Sequence, residues 1–290
     1  MRSLLFVPGD SRKKLEKALL SGADALLIDL EDSVALDAKA EARATTASFL
    51  TEAKGQPAGP RLYVRVNGLT SGLIDDDLDG VMRAGPHGVV LPKAVGGVDA
   101  AHLGAKLAVR EAEFGLDDGG TRILAIATEN ALGVFALGTF AGASHRLAGL
   151  AWGGEDLSAD IGAEGNRGEN GLYTDPYRLV RSLTLLGAAA AGVDAVDAVY
   201  TNFRDLEGLA AECREARRDG FVAKMAIHPA QVPVINEAFT PSQEAVARAE
   251  AVIAAFQASP GAGVVGVAGE MLDRPHLVRA ERLLTRAGKR

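Results

Sequence analysis

Carboxylates gather at or just after the ends of apolar runs in this chain. Asp29, Glu31 and Asp32 close ALLIDLED, Glu129 closes ILAIATE, and Glu155 and Asp156 close LAGLAWGGED. They outnumber the cations in comparable places, Arg65 in LYVRVN and Lys93 in VVLPK. Crowded like charges take a partner or take up protons. A divalent cation is the natural partner. An all-oxygen set without cysteine or clustered histidine favours Mg2+ or Mn2+ over Zn2+. The expected ligands are Glu129 and one of Glu155 and Asp156. The other carboxylate of that pair is expected to cap the helix or loop that follows. The plainer alternative is that GGED merely opens a solvated loop.

Arg65 lies inside an apolar strand pattern, where a charge is costly unless paired. It suits a substrate carboxylate or a developing oxyanion. It equally suits a structural ion pair with Asp29 or Asp32. His228, just before Pro229, reads as a hydrogen-bonded histidine rather than a catalytic one. Arg12, Lys13, Lys14 and Lys17 follow the turn PGDS at the start of a helix. A helix start favours anions, such as a phosphate-bearing tail; the bland reading is a solvated face.

The elements that must position these groups alternate. Short runs rich in Val, Ile and Leu predict buried parallel strands at 3–8, 25–30, 62–67, 88–93, 122–128, 147–153, 194–200 and 221–228. Ala-, Leu- and charge-rich stretches predict helices at 11–21, 39–53, 70–84, 98–113, 130–142, 175–190 and 205–218. This is the pattern of an α/β fold, a (β/α)8 TIM barrel, whose active site lies at the C-terminal ends of the strands. A doubly wound open sheet is the alternative, but VPGDSRKK is not its glycine-rich phosphate turn. Residues 1–230 are assigned to the barrel. Residues 231–290 exceed what a barrel needs: two helices, a strand-like GAGVVGVAG, then EMLDRP and a last helix. They are expected to form a C-terminal helical extension that packs on, or closes over, a neighbouring subunit. GQPAGP (55–60) and DDGG (117–120) read as turns.

With 290 residues, 48% hydrophobic, the chain can bury a large core. Its net charge of −7 and scattered basic residues exclude a nucleic-acid footprint. The single cysteine, Cys213, excludes a disulfide framework. The apolar opening is too short for a signal peptide and is broken by Pro8. No stretch reaches the roughly 18 apolar residues of a membrane span. The expected location is cytoplasmic, with no membrane contact.

LLFVPGDSRKKLEKAL, ADALLIDLEDSV, YVRVNG, VVLPKA, ATEN, WGGEDLSADIG, IHPAQVPVINEAFTP and MLDRPHLVRAERLL, in this order, resemble the citrate lyase β-subunit family of the HpcH/HpaI aldolase superfamily, related to malyl-CoA and citramalyl-CoA lyases. The resemblance spans residues 3 to about 285. It implies a TIM barrel with Mg2+ on Glu129 and Asp156. It places Arg65 on the substrate's carboxylate and reacting oxygen, and Asp29, Glu31 and Asp32 around the metal site. Arg12, Lys13 and Lys17 would meet the phosphates of coenzyme A. Asp273, from MLDRP, would reach an active site across a subunit boundary and handle a proton on the acetyl group. Arg65, Asp273 and Asp32 are thus the expected catalytic residues, and a homotrimer or dimer of trimers is the expected assembly. The reaction implied is retro-Claisen cleavage of a 3-hydroxy-3-carboxyacyl thioester, such as malyl-CoA, citramalyl-CoA or a citryl thioester, to an acetyl thioester and a 2-oxo acid. A class II aldolase acting on free 2-oxo acids such as pyruvate, and a carrier-dependent β subunit of a citrate lyase complex, are the alternatives. GAEGNRGENGLYTDPY (162–177) is glycine-rich and lacks the arginine-rich form of many citrate lyase β-subunits, which leaves the acyl group open.

Overall fold

The computed structural model describes residues 1–54 and 59–289. The turn expected at GQPAGP falls mainly on 55–58, outside the described residues.

The runs dense in Val, Ile and Leu become strands because a parallel sheet sandwiched by helices buries both of its faces. They are β1 (Ser3–Pro8), β2 (Ala25–Asp29), β3 (Arg61–Arg65), β4 (Gly88–Leu91), β5 (Arg122–Ile126), β6 (Leu147–Ala151), β7 (Asp194–Asp197) and β8 (Ala223–Ala226). Each pairs in parallel with the next, and β8 returns to β1. The sheet is therefore closed, as expected of a (β/α)8 barrel, and an open doubly wound sheet is excluded. The helices between are α1 (Arg12–Leu19), α2 (Lys39–Ala53), α3 (Ile74–Val81), α4 (Gly97–Phe114), α5 (Ala131–Ala136), α6 (Glu155–Asp160), α7 (Asp175–Ala191) and α8 (Leu206–Asp219).

Strand side chains alternate between the two faces of the sheet. Leu4, Leu27, Tyr63, Val90, Leu124, Ile126 and Met225 belong to one buried cluster contributed by several strands. The period of two then carries this row to the rim. Ala25 and Leu27 are followed by Asp29, Tyr63 is followed by Arg65, and Asp29 stands opposite Arg65 in the β2–β3 register. The charged rim is the next layer of the barrel's own packing pattern.

The strands stop short of the apolar runs. Beyond their ends the chain keeps only separate bonds, such as Leu30 N–H to Arg65 O (2.9 Å) and Ala127 N–H to Ala151 O (2.9 Å), as it bends into the rim loops. The helix expected at 70–84 begins only at Ile74, past Gly72 (φ +75°), and ends in a 3-10 turn over Met82–Ala84. The stretch 130–142 is likewise α5 followed by a 3-10 turn over Leu137–Phe140. At GGED, where a helix or a loop is expected to follow, the chain forms the short α6.

Two compact units divide the chain, Met1–Asn236 and Glu237–Arg290. The division falls within α9 (Gln231–Phe239). The second unit holds α10 (Gln243–Ala258), α11 (Arg274–Arg286) and an antiparallel hairpin of β9 (Val264–Val267) and β10 (Glu270–Asp273). EMLD forms the second strand of this hairpin and pairs with β9 across Ala268 and Gly269, both at positive φ. Val246, Ala249, Val252 and Ile253 recur at helical spacing on α10 and pack with Val265, Leu272, Ala280 and Leu284. No helix among the described residues is long and apolar enough to cross a membrane.

Candidate active site

The rim of β2 and β3 is an ion-pair cage. Arg65 donates from Nε to Asp29 Oδ1 and from Nη2 to Asp29 Oδ2, both at 2.7 Å. Its Nη1 lies 2.7 Å from Glu31 Oε2, outside hydrogen-bond geometry, and 3.7 Å from Asp32. The guanidinium also sits over the Phe6 ring at 4.9 Å. Asp29 is buried, and burial alone would raise its pKa. The hydrogen bonds and charge of Arg65, with the N–H groups of Ser33 and Glu31, outweigh that and hold it below the usual carboxylate range. Glu31 is shifted the other way, chiefly by burial, against the pull of Arg65 and Lys93.

Behind the cage, Lys39 is buried and donates to Leu30 O (2.7 Å), Glu31 O (2.7 Å) and Asn67 Oδ1 (2.9 Å). Asn67 in turn donates from N and Nδ2 to the buried Asp77, each at 2.7 Å. This frame fixes the loop after β2 against the end of β3. Beside it lies a cavity of about 480 Å3 lined by Asp32, Leu36, Asn67, Leu69, Lys93 and Val95 among others, of a size for a small molecule.

Lys93 links the cage to β5. It takes the left-handed conformation (φ +53°), which side-chain-bearing residues rarely adopt. That backbone turns its N–H onto Glu129 Oε2, while its ammonium contacts Glu31 and lies 3.3 Å from Asp32 Oδ1. Strain of this kind concentrates where structure serves a site.

Glu129 is buried, with its pKa pushed up to about 8. Burial is the main cause. Asp156 and Glu31 add to it, and the Lys93 N–H and Arg65 oppose it. Asp156 is therefore close enough for its charge to be felt at Glu129. The two glycines before it have separate reasons. A Cβ at Gly153 would lie 2.7 Å from Glu129 Cγ, and one at Gly154 would lie 3.2 Å from the Trp152 ring. Larger residues at 153 would push against the Glu129 stem. Neither carboxylate of the pair caps a helix: Gly154 occupies the cap position, and Glu155, the first residue of α6, accepts a hydrogen bond from Asn166 Nδ2 at 2.7 Å. The capping expectation for GGED is corrected accordingly.

The structure thus gathers Asp29, Glu31, Asp32, Arg65 and Glu129 around one rim, with Asp156 beside Glu129. Among the described residues no three His, Cys, Asp or Glu converge as a complete metal cage. The basic run lies on α1. There Arg12 bonds to Glu16 (2.8 Å) and to Glu52 and stacks over Phe49, while Lys13 and Lys17 are exposed. His228 stacks on Phe203, with ring centroids 4.7 Å apart, and accepts from Ala230 N–H. Asp273 belongs to the second unit. Its backbone is extended (φ −106°, ψ −177°), and it caps α11 and pairs with His276 Nδ1 at 2.5 Å. Sequence reasoning passed over Lys39 and Asn166, and it marked Lys93 only as a cation at a strand end, not as a left-handed residue. Lys39 stands in a charge-rich helix start and Asn166 in a glycine-rich loop, among other polar residues from which nothing local singles them out.

A closed parallel barrel whose rim joins the buried Glu129 to a caged arginine defines an enzyme of the TIM-barrel class. The family model for HpcH/HpaI aldolase/citrate lyase matches residues 2–229, and the chain belongs to this family. Citrate lyase subunit beta of Leuconostoc mesenteroides subsp. cremoris is 33% identical over 287 residues, covering 98% of this chain and 92% of that protein. Mitochondrial citramalyl-CoA lyase of Mus musculus is 33% identical over 296 residues, covering 99% and 86%. The crystal structure of protein CitE from Mycobacterium tuberculosis, in complex with magnesium, acetoacetate and coenzyme A, is 35% identical with a TM-score of 0.77, covering 99% of this chain and 98% of that one.

Proposed function

We propose that this chain is a magnesium-dependent carbon–carbon lyase that cleaves a 3-hydroxy-3-carboxyacyl thioester to an acetyl thioester and a 2-oxo acid. The observation that carries the reading is the buried Glu129, raised to about 8 beside Asp156, next to a guanidinium already fixed by Asp29. Its support outside the chain is the citrate lyase and citramalyl-CoA lyase relatives and the magnesium in the CitE structure.

Glu129 and Asp156 would hold the metal, and the donor set fits one. The nearby cations Arg65 and Lys93 are already engaged by Asp29, Glu31 and Asp32, so the pair has charge left to neutralise. Mg2+ typically takes one or two carboxylates and leaves its other positions to water and substrate. Bound there, it supplies Lewis-acid stabilisation of an alkoxide and a clamp for a carboxylate; Mn2+ would serve in the same set. Asp29 keeps the guanidinium of Arg65 oriented, and Nη1, which makes no well-formed hydrogen bond, is the group to turn towards the substrate's carboxylate and hydroxyl oxygen. Lys93 holds Glu31 and Asp32 together, and Asp32, half exposed, is assigned a catalytic role at the open side of the site. Asp273 is assigned the proton on the acetyl carbon, acting on a neighbouring subunit of a homotrimer or dimer of trimers. Arg12, Lys13 and Lys17 are assigned to the phosphates of coenzyme A, with Arg12 first released from Glu16 and Glu52.

The test is product analysis of the purified protein with Mg2+ and a panel of malyl, citramalyl and citryl thioesters of coenzyme A. Release of acetyl-CoA and the matching 2-oxo acid is expected from at least one. Cleavage confined to aldol adducts of free 2-oxo acids, or to carrier-bound thioesters, would replace this reading.

A further inference from the structure

Asp156 has a partner in Glu129, but its neighbour Glu155 points to a different one. We propose that Glu155 is a positioning residue: by gripping Asn166 it latches the loop of residues 162–174 onto α6 and so holds Asp156 in place for the cation. The inference rests on the reading of Asp156 as a metal ligand.

The helix that carries Asp156 is only six residues long. Helices so short do not hold themselves in water. Its restraint comes from outside. Asn166 is buried, donates from Nδ2 to Glu155 Oε1 at 2.7 Å, and accepts from Thr174 N–H through its carbonyl at 3.1 Å. The next residue anchors the same loop to the barrel. Arg167 bridges to Tyr173, donates to Gly171 O (3.0 Å) and Glu212 Oε2 (2.8 Å), and lies 3.7 Å over the Tyr173 ring. Tyr173 meets Trp152 edge-on, with centroids 5.0 Å apart. Glu212 accepts from Lys224, Lys224 donates to Asp197, and Asp197 accepts from Trp152 Nε1. The contacts therefore run from the loop back to the residue that opens the GGED turn. Glu155–Asn166 ties the first turn of α6, where Asp156 sits, to this loop; the far end is held separately, by Ala163 N–H to Ser158 O (2.9 Å) and Ala131 N–H to Asp160 Oδ2 (2.8 Å). Glu155 is exposed and serves no packing role. Its acceptor oxygen, rather than its charge, is what the latch uses.

Calorimetric titration of the full chain with Mg2+ tests this on wild type and on Asp156→Ala, Asn166→Ala, Glu155→Ala, Glu155→Gln and the double alanine variant. Asn166→Ala and Glu155→Ala are expected to weaken Mg2+ about tenfold, the lower end of the effect for groups that orient a ligand. The double variant should be no weaker than either single one, because both remove the same bond. Glu155→Gln keeps an acceptor oxygen and should stay near wild type. Should Asn166→Ala fold poorly, Glu155→Ala, at an exposed position, carries the test. Unchanged affinity in both single variants, additive losses, or equal losses in Glu155→Gln and Glu155→Ala would overturn the latch while Asp156→Ala still abolishes binding. Undiminished binding by Asp156→Ala would overturn the ligand reading and the latch with it.

Discussion

Arg65 and Asp29 face each other across adjacent strands and lock through two parallel hydrogen bonds of 2.7 Å. The pair is buried, so it is structural, and it also fixes the direction of the remaining guanidinium edge. The two readings that Arg65 invited, ion pair or substrate grip, are therefore compatible in one geometry. Bidentate contact of this sort depends on a planar fork that lysine lacks.

Arg65→Lys is accordingly expected to lower kcat/KM by on the order of 10²–10³ with a small fall in Tm. Arg65→Met, which leaves Asp29 buried without its cation, should cost about 3–5 kcal/mol of stability. Steady-state kinetics and denaturant unfolding of both variants check this. An Arg65→Lys protein that unfolds before it loses turnover would reduce Arg65 to a structural role.

Glu129 makes the metal-free protein sensitive to pH. Its folded pKa, about 8, lies above its ordinary 4.5. The folded state therefore keeps a proton that the unfolded state releases, and this contribution is complete in acid. It is lost as pH rises from about 4.5 towards 8, by up to about 1.4 kcal/mol per pH unit. Glu31 is raised and acts in the same sense; Asp29 is lowered and contributes stability that is lost only in acid. Chelator-treated protein should thus lose stability across that window, and Glu129→Gln should flatten the loss. Mg2+ binding near pH 7 should release a proton, seen as a dependence of the binding heat on buffer. A slope unchanged by Glu129→Gln would refute the assignment.

Gly153→Ala places a methyl group 2.7 Å from Glu129 Cγ. The Glu129 stem must shift, and Mg2+ affinity should fall while the barrel remains folded. Calorimetry and circular dichroism distinguish this from global damage; wild-type affinity would show that the stem yields freely.

Lys224 is fully buried between Asp197 and Glu212, each 2.7 Å away. Lys224→Met strands both carboxylates and should cost about 3–5 kcal/mol. Adding Glu212→Gln should recover part of the loss, which urea unfolding of the single and double variants would measure.

Asp273→Ala and Asp156→Ala subunits, each expected to be inactive, should regain partial activity when unfolded and reassembled together. A mixed oligomer that forms but stays inactive would mean that each site is built from one chain. Asp273 caps α11, so its removal should also cost about 0.5–2 kcal/mol of stability, too little to unfold the chain.

The sequence by itself determined the alternation of elements. Eight apolar runs such as LLIDL and VVLPK could hardly be anything but buried strands, and the period of two already placed Asp29 and Arg65 in line with Leu27 and Tyr63. The charges after those runs marked the rim, and eight motifs in order marked the family. Only the tertiary structure decided the pairings. Asn67 and Lys39 lie 28 residues apart, and Asn166 and Glu155 eleven, and no local pattern says which polar groups will meet. The left-handed turn at Lys93 is imposed by the bonds it makes to Glu129 on one strand and Glu31 on another, against its own local preference. Helix α6 begins at Glu155, just past the point where Gly153 passes the Glu129 stem, and Glu155 there meets Asn166. Burial and distant charge set the pKa of Glu129, and both exist only once the barrel has closed.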